Sequence, residues 1–144
     1  MSVPKPDRKE SKVEFDNAYF RLYSDAMRLI SLNFGADKEQ LEMHKHYIKV
    51  MSVHVLEVVN DIGKYIRIAN SIYPIYKSEL EQRRIAQDKA IGLCYELLTK
   101  YQLVMNYLYV KGDKYTIEIK NVIHEINCLK KWRTSDNKRF RDIG

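Results

Sequence analysis

The residues with the widest chemical reach are four histidines and two cysteines. Their spacing predicts no metal centre and no nucleophile. His44 and His46 stand two apart, so on a helix their side chains diverge by about 200°. His54 follows His46 by eight positions, on the same side but two turns on, and His124 belongs to another helix. No HExxH, no Glu-x-x-His pair, no CxxC and no Cys/His cluster is read from the spacing. Cys94 and Cys128 fall inside apolar helical patterns, which predicts two buried reduced thiols in an intracellular protein. There is no GxSxG, P-loop, GxGxxG or other glycine-rich loop, and carboxylates are scattered singly among basic residues. The expectation is a protein that is not an enzyme, with neither a metal nor a cofactor.

Positive charge is the remaining signal. The 144-residue chain carries +6, with eleven tyrosines. An excess of this kind favours an anionic partner such as nucleic acid. One basic group comprises Lys64 and Arg67, then Lys77, Arg83, Arg84 and Lys89, diluted by Glu79, Glu81 and Asp88. The second comprises Lys130, Lys131, Arg133, Lys138, Arg139 and Arg141, opposed by Asp136 and Asp142. Together they would bind phosphates through counterion release, without base readout. The alternative is that Lys130 and Lys131 only offset a helix C-terminal dipole. Tyrosines on helical stripes, such as Tyr19, Tyr101 and Tyr109, point to core or oligomer-interface packing.

The elements that must position these groups are helices. Five glycines and three prolines in a chain 45% hydrophobic argue for an all-α domain. The organising stretch is Arg83–Val110, where apolar residues hold three-to-four spacing for about seven turns. Before it, a first helix spans Phe15–Phe34, with Asp16 and Asn17 as caps and Gly35 as its stop. Asp37, with Gln40 in capping-box spacing, opens a second helix from Lys38 to Ser71. Gly63 within it offers close approach to another helix, and Pro74 forces the next turn. The third helix runs from Ile75 or Ser78 to Val110. Gly112 and Asp113 then turn the chain into a fourth helix, Lys114–Trp132. Four helices on short links predict an antiparallel up-down-up-down four-helix bundle. Wide, tyrosine-rich stripes argue against a strict coiled coil.

The domain plan is a disordered tail over 1–14, the bundle over 15–132 and a basic C-terminal tail over 133–144. No signal peptide is read from MSVPKPDRKE, and no run approaches the ~20 apolar residues of a membrane span. A soluble cytoplasmic protein is expected. Antiparallel packing would bring the two basic groups to one end of the bundle.

Residues 41–133 resemble the accessory variability determinant (Avd) proteins of diversity-generating retroelements. These share a four-helix-bundle superfamily with proteins encoded in 23S rRNA intervening sequences. The features that carry the resemblance are Ile66, Ala69 and Asn70 at the end of the second helix, the Leu/Tyr-rich third helix, the short turn before Tyr115, and the Trp132 ending. The chain departs from the family in its charged N-terminal segment and its fewer third-helix arginines. The resemblance implies a non-enzymatic partner of a reverse transcriptase that assembles as a basic homopentamer. It further implies binding of template RNA, with DNA as a second nucleic-acid partner, in support of mutagenic copying. Arg83, Arg84, Lys89, Lys130, Lys131 and Arg133 would contact phosphate or the enzyme. The alternative is an oligomeric scaffold of the intervening-sequence type with no nucleic-acid role.

Overall fold

The computed structural model describes the backbone of residues 5–143 and the side chains from Glu14 onward. Five α-helices pack together: α1 (Lys5–Ser31), α2 (Lys38–Met43), α3 (Lys45–Ser71), α4 (Lys77–Tyr107) and α5 (Thr116–Arg139). No strand occurs among the described residues. The long helices form a closed ring of neighbours, α1 along α3, α3 along α4, α4 along α5 and α5 along α1. No helix of the described residues is long and apolar enough to cross a membrane.

Each long helix buries a regular alternation of three and four residues. In α1 it reads Phe15, Ala18, Leu22, Asp25, Leu29, and in α3 Ile48, Met51, Val55, Val58, Ile62. In α4 it reads Leu80, Arg83, Gln87, Ala90, Cys94, Leu97, Tyr101, Val104. In α5 the buried series Glu118, Val122, Glu125, Leu129 leads on to Asp136. Ala26, Val59, Ala86, Ile126 and Cys128 are buried beside these series, so the buried face is the broad stripe expected from the sequence and not a two-position seam. Most of these positions are apolar. Asp25, Arg83, Gln87, Glu118, Glu125 and Asp136 are not, and they define the chemistry of the interior.

The helix boundaries differ from expectation for local reasons. Of the anticipated tail over 1–14, residues 1–4 lie outside the described residues, and α1 already begins at Lys5. Asp16 and Asn17 therefore lie within a helix and not at its start. The single second helix divides at His44, whose backbone (φ −123°, ψ 30°) leaves the helical region. The Asp37 carboxylate accepts from the Gln40 backbone N–H at 2.8 Å, which is the expected cap. Tyr109, at φ 54°, takes the left-handed position that ends α4, and the Val110 N–H closes on the Met105 carbonyl at 2.9 Å. A 3-10 turn over Gly112–Tyr115 precedes α5, and no side chain caps α5. Asp113 supplies instead a carbonyl to the Thr116 hydroxyl. The C-terminal segment continues α5 to Arg139, because Asp136 and Phe140 are buried against the other helices.

Gly63 has the role expected of it. A Cβ there would collide with the Tyr19 ring and hydroxyl, so glycine makes room for the Tyr19 side chain of α1 against α3. The Tyr19 hydroxyl donates to the Val59 carbonyl at 2.9 Å across the gap.

Candidate functional site

The end of the molecule where α3 turns into α4 is organised by a buried arginine. Pro74 stands in the turn after Ser71, and Glu79 orders the first turn of α4. Its carboxylate accepts from the backbone N–H groups of Ile75 and Tyr76, each at 2.9 Å. Those two bonds hold the Glu79 carboxyl below the usual carboxylate range. One turn on, Arg83 faces inward, with 5% of its surface exposed. Its Nε and Nη2 donate to the two Asp136 oxygens at 2.6 and 3.2 Å. Its Nη1 donates to the carbonyls of Ile72 and Ala69 at 2.8 and 3.3 Å. These carbonyls end α3: Ala69 already accepts from the Ile72 N–H at 3.2 Å, and the guanidinium adds a second donor there. The guanidinium also lies over the rings of Trp132 and Phe140, at 5.1 and 5.6 Å from their centroids. Gln87 completes the node by donating to Asp136 at 2.7 Å.

Arg83 is thus corrected from a phosphate-contact residue to an internal one. Its guanidinium is spent on Asp136 and on the end of α3. The sequence carries the signal: Arg83 and Gln87 occupy stripe positions between Leu80 and Ala90, where a solvated charge has no place. Asp136, which charge counting treats as dilution of the basic tail, is the counterion that the node requires.

Residues of both basic groups make contacts between α4 and α5. Arg84 reaches across to Asn137 (2.7 Å), and Arg133 pairs with Asp88 (2.6 Å). Both pairs join α4 to α5 at the rim and are partly open to solvent. The Lys130 ammonium donates to the Tyr95 hydroxyl at 2.8 Å. Lys64 and Lys89 both lie over the Tyr65 ring, 5.2 Å from its centroid. Arg139 covers Tyr73 and Phe140. Arg67, Lys77, Lys131, Lys138 and Arg141 are exposed. Of the twelve anticipated basic residues, Arg83 is internal, and Arg84, Arg133 and Arg139 lie on α4 and α5 close to it in sequence or through its partners. Lysine and arginine beside exposed tyrosines is an arrangement able to take phosphates and stacked bases together.

No protein-family model matches this chain, and no curated protein or solved structure matches it.

Away from this end, α1 and α5 enclose a second polar cluster. Arg28 Nη2 donates to Glu118 at 2.7 Å and to Asp25 at 3.3 Å, while Asn121 donates to Asp25 at 2.6 Å. The Tyr101 hydroxyl, fully buried, has no hydrogen-bond partner, and burial with the nearby Asp25 charge raises its pKa. Glu125 is the sharpest case. It is 0% exposed, and neither carboxyl oxygen has a hydrogen-bond partner among the described residues. Burial, with Asp16 nearby, pushes its pKa up to about 9, so the group is a neutral acid at pH 7.

The cysteines also divide. Cys94 is sealed in the buried stripe, where burial raises its pKa and leaves it inert. Cys128 lies at the edge, and its Sγ is 3.5 Å from His124 Nε2. Glu14 of α1 approaches the same histidine at 3.9 Å. This corrects the expectation of no Cys/His cluster: the signal is His124-x-x-x-Cys128, one helical turn apart. Burial and the Glu14 carboxylate push the Cys128 thiol up to about 11, the reverse of what a nucleophile needs.

Proposed function

We propose that this protein is a non-enzymatic, nucleic-acid-binding accessory factor that works beside a retroelement reverse transcriptase in the cytoplasm. The observation that carries the reading is the set of exposed lysines and arginines presented by α3, α4 and α5. Lys130, Lys131, Lys138 and Arg141 on one side and Lys64, Arg67, Lys77 and Lys89 on the other would contact template RNA or DNA. Arg84, Arg133 and Arg139 would exchange their present partners for phosphate or for the reverse transcriptase. The retroelement context comes from the resemblance of residues 41–133 to the accessory variability determinants. In this proposal the long helices form an antiparallel up-down four-helix bundle, with α2 as a broken first turn of α3. That bundle assembles as a homopentamer, which multiplies the basic surface.

Binding of a structured RNA over a salt series tests the reading. Log K should fall linearly with log salt. Replacing Lys130, Lys131 and Lys138 by alanine should reduce the slope by about 0.7–0.9 for each phosphate no longer neutralised. Absence of binding at low salt, or an unchanged slope in the triple variant, would overturn it.

A second reading, an oligomeric scaffold without nucleic acid, is favoured by large apolar side chains left open on several helices. Phe20, Met43 and Ile117 are each more than half exposed. The solution mass in the absence and presence of RNA separates the two. A scaffold assembles fully without it and ignores its addition.

A further inference from the structure

We propose that Glu14, His124 and Cys128 form a three-ligand site for a zinc-class divalent cation, fastening the N-terminal part of α1 to α5. Three observations carry it. The first is the donor set: a thiol, an imidazole nitrogen and a carboxylate, which are the three side-chain types that zinc takes. The second is distance. The three donor atoms lie within 4.8 Å of one another, and Cys128 Sγ is 3.5 Å from His124 Nε2. A tetrahedral ion with a zinc–sulfur bond of about 2.3 Å and a zinc–nitrogen bond of about 2.0–2.1 Å holds those two atoms about 3.5 Å apart. Glu14 stands 3.9 Å from the imidazole and within 4.8 Å of the Cys128 sulfur, and an inward movement of up to about 1 Å, which an exposed carboxylate on a flexible stem makes, completes the triangle.

The third observation is access. His124 and Cys128 line an open groove of about 590 Å³ along α5, with Lys130, Lys131, Thr134 and Ser135 among the other lining residues. The ion has a route in, and its fourth position faces solvent. Thiolate and carboxylate together supply two negative charges, which neutralise a divalent cation; Lys130 and Lys131 at the groove remain open to solvent. Binding exchanges one proton, from the Cys128 thiol to solvent, for the metal–sulfur bond. The groups come from two helices more than a hundred positions apart in sequence, so the ion acts as a cross-link. None of the three belongs to the basic surface above, and the two proposals stand or fall separately.

Cobalt(II) added to the reduced full-length chain is the direct test, because a thiolate ligand gives a sulfur-to-cobalt charge-transfer band that surface histidines cannot give. The expected result is a band that saturates at one equivalent and is bleached by zinc. Cys128→Ser removes the band, while Cys94→Ser keeps it. Glu14→Gln and His124→Asn, both at exposed positions, weaken cobalt affinity about tenfold or more. Because these two leave the interior untouched, they keep the test decisive if Cys128→Ser does not fold. A folded wild-type chain with no charge-transfer band, a band that survives in folded Cys128→Ser, or unchanged affinity in both Glu14→Gln and His124→Asn would overturn the site.

Discussion

Two carboxylates of α5, eleven positions apart on one buried stripe, answer the same problem in opposite ways. Asp136 keeps its charge and surrounds it with Arg83 and Gln87, so that both oxygens are used. Glu125 has no hydrogen-bond partner at either oxygen among the described residues and keeps its proton. Removing a charge from water costs several kcal/mol, and a protein offsets this by pairing the charge or by abolishing it. The difference lies in what each neighbourhood supplies. Near Asp136, α3 ends and α4 begins, so a donor-rich side chain is wanted to finish carbonyls as well. Near Glu125 burial opposes the charged form, Asp16 makes it worse, and Arg21 offsets this only in part. Paired charge defines a geometry, whereas neutralised charge defines only a pH range.

The comparison breaks most visibly at Asp136. Asp136→Ala strands Arg83 in the interior and should cost about 3–5 kcal/mol in denaturant unfolding. Arg83→Leu combined with Asp136→Leu should recover a large part of that loss, since no buried charge then remains. If the single and double variants were equally unstable, the node would be a packing feature and not an ion pair.

Glu125 should show itself through pH. Its pKa is about 9 in the folded chain and near the ordinary 4.5 when unfolded. Between those values the folded state holds one more proton, so stability falls as pH rises, by up to about 1.4 kcal/mol per pH unit. Below pH 4.5 both states are protonated, and this group contributes no slope. Glu125→Gln should match the native chain near pH 5, exceed it at pH 8 and flatten the profile. A native profile that is level from pH 5 to 8 would show that the carboxyl finds water or a partner.

The rim where α4 meets α5 offers the smallest effect. Asp88 and Arg133 form a 2.6 Å ion pair but are both substantially open to solvent. Asp88→Asn should change stability by less than about 1 kcal/mol, and salt should erase the difference. A loss comparable with that of Asp136→Ala would mean that burial is not what separates the two pairs.

What can be read from the sequence follows the same division. Apolar periodicity locates the long helices, and local chemistry locates the Asp37 cap and the Gly63 approach, whereas the first helix stops at Ser31, where Asn33 and not Gly35 takes the first left-handed position. Arg83, Glu125 and Asp136 are legible only as charges, because hydropathy assigns them to solvent wherever they stand. Their stripe register, three or four from apolar neighbours on either side, is the available clue. Residue type separates His124 from Cys128, one counted among histidines and one among thiols, although one turn of helix joins them. Glu14 cannot be added to them from sequence, since its approach depends on how α1 lies against α5.

The link between α1 and α2 is the one place among the described residues where the backbone departs from ordinary conformations in succession. Asn33, Phe34 and Gly35 all take positive φ, at 53°, 59° and 79°. Phe34 is fully buried, and its carbonyl accepts from the Tyr115 hydroxyl at 2.6 Å. A non-glycine residue in that region stores about 1–3 kcal/mol, which persists only while its surroundings enforce it. Here the enforcement comes from the turn that launches α5, 81 positions away. The two connections therefore open together or stay closed together. In amide hydrogen exchange, protection at the end of α1 and at the beginning of α5 should be lost in one step, as a cooperative unit distinct from the α3–α4 hairpin.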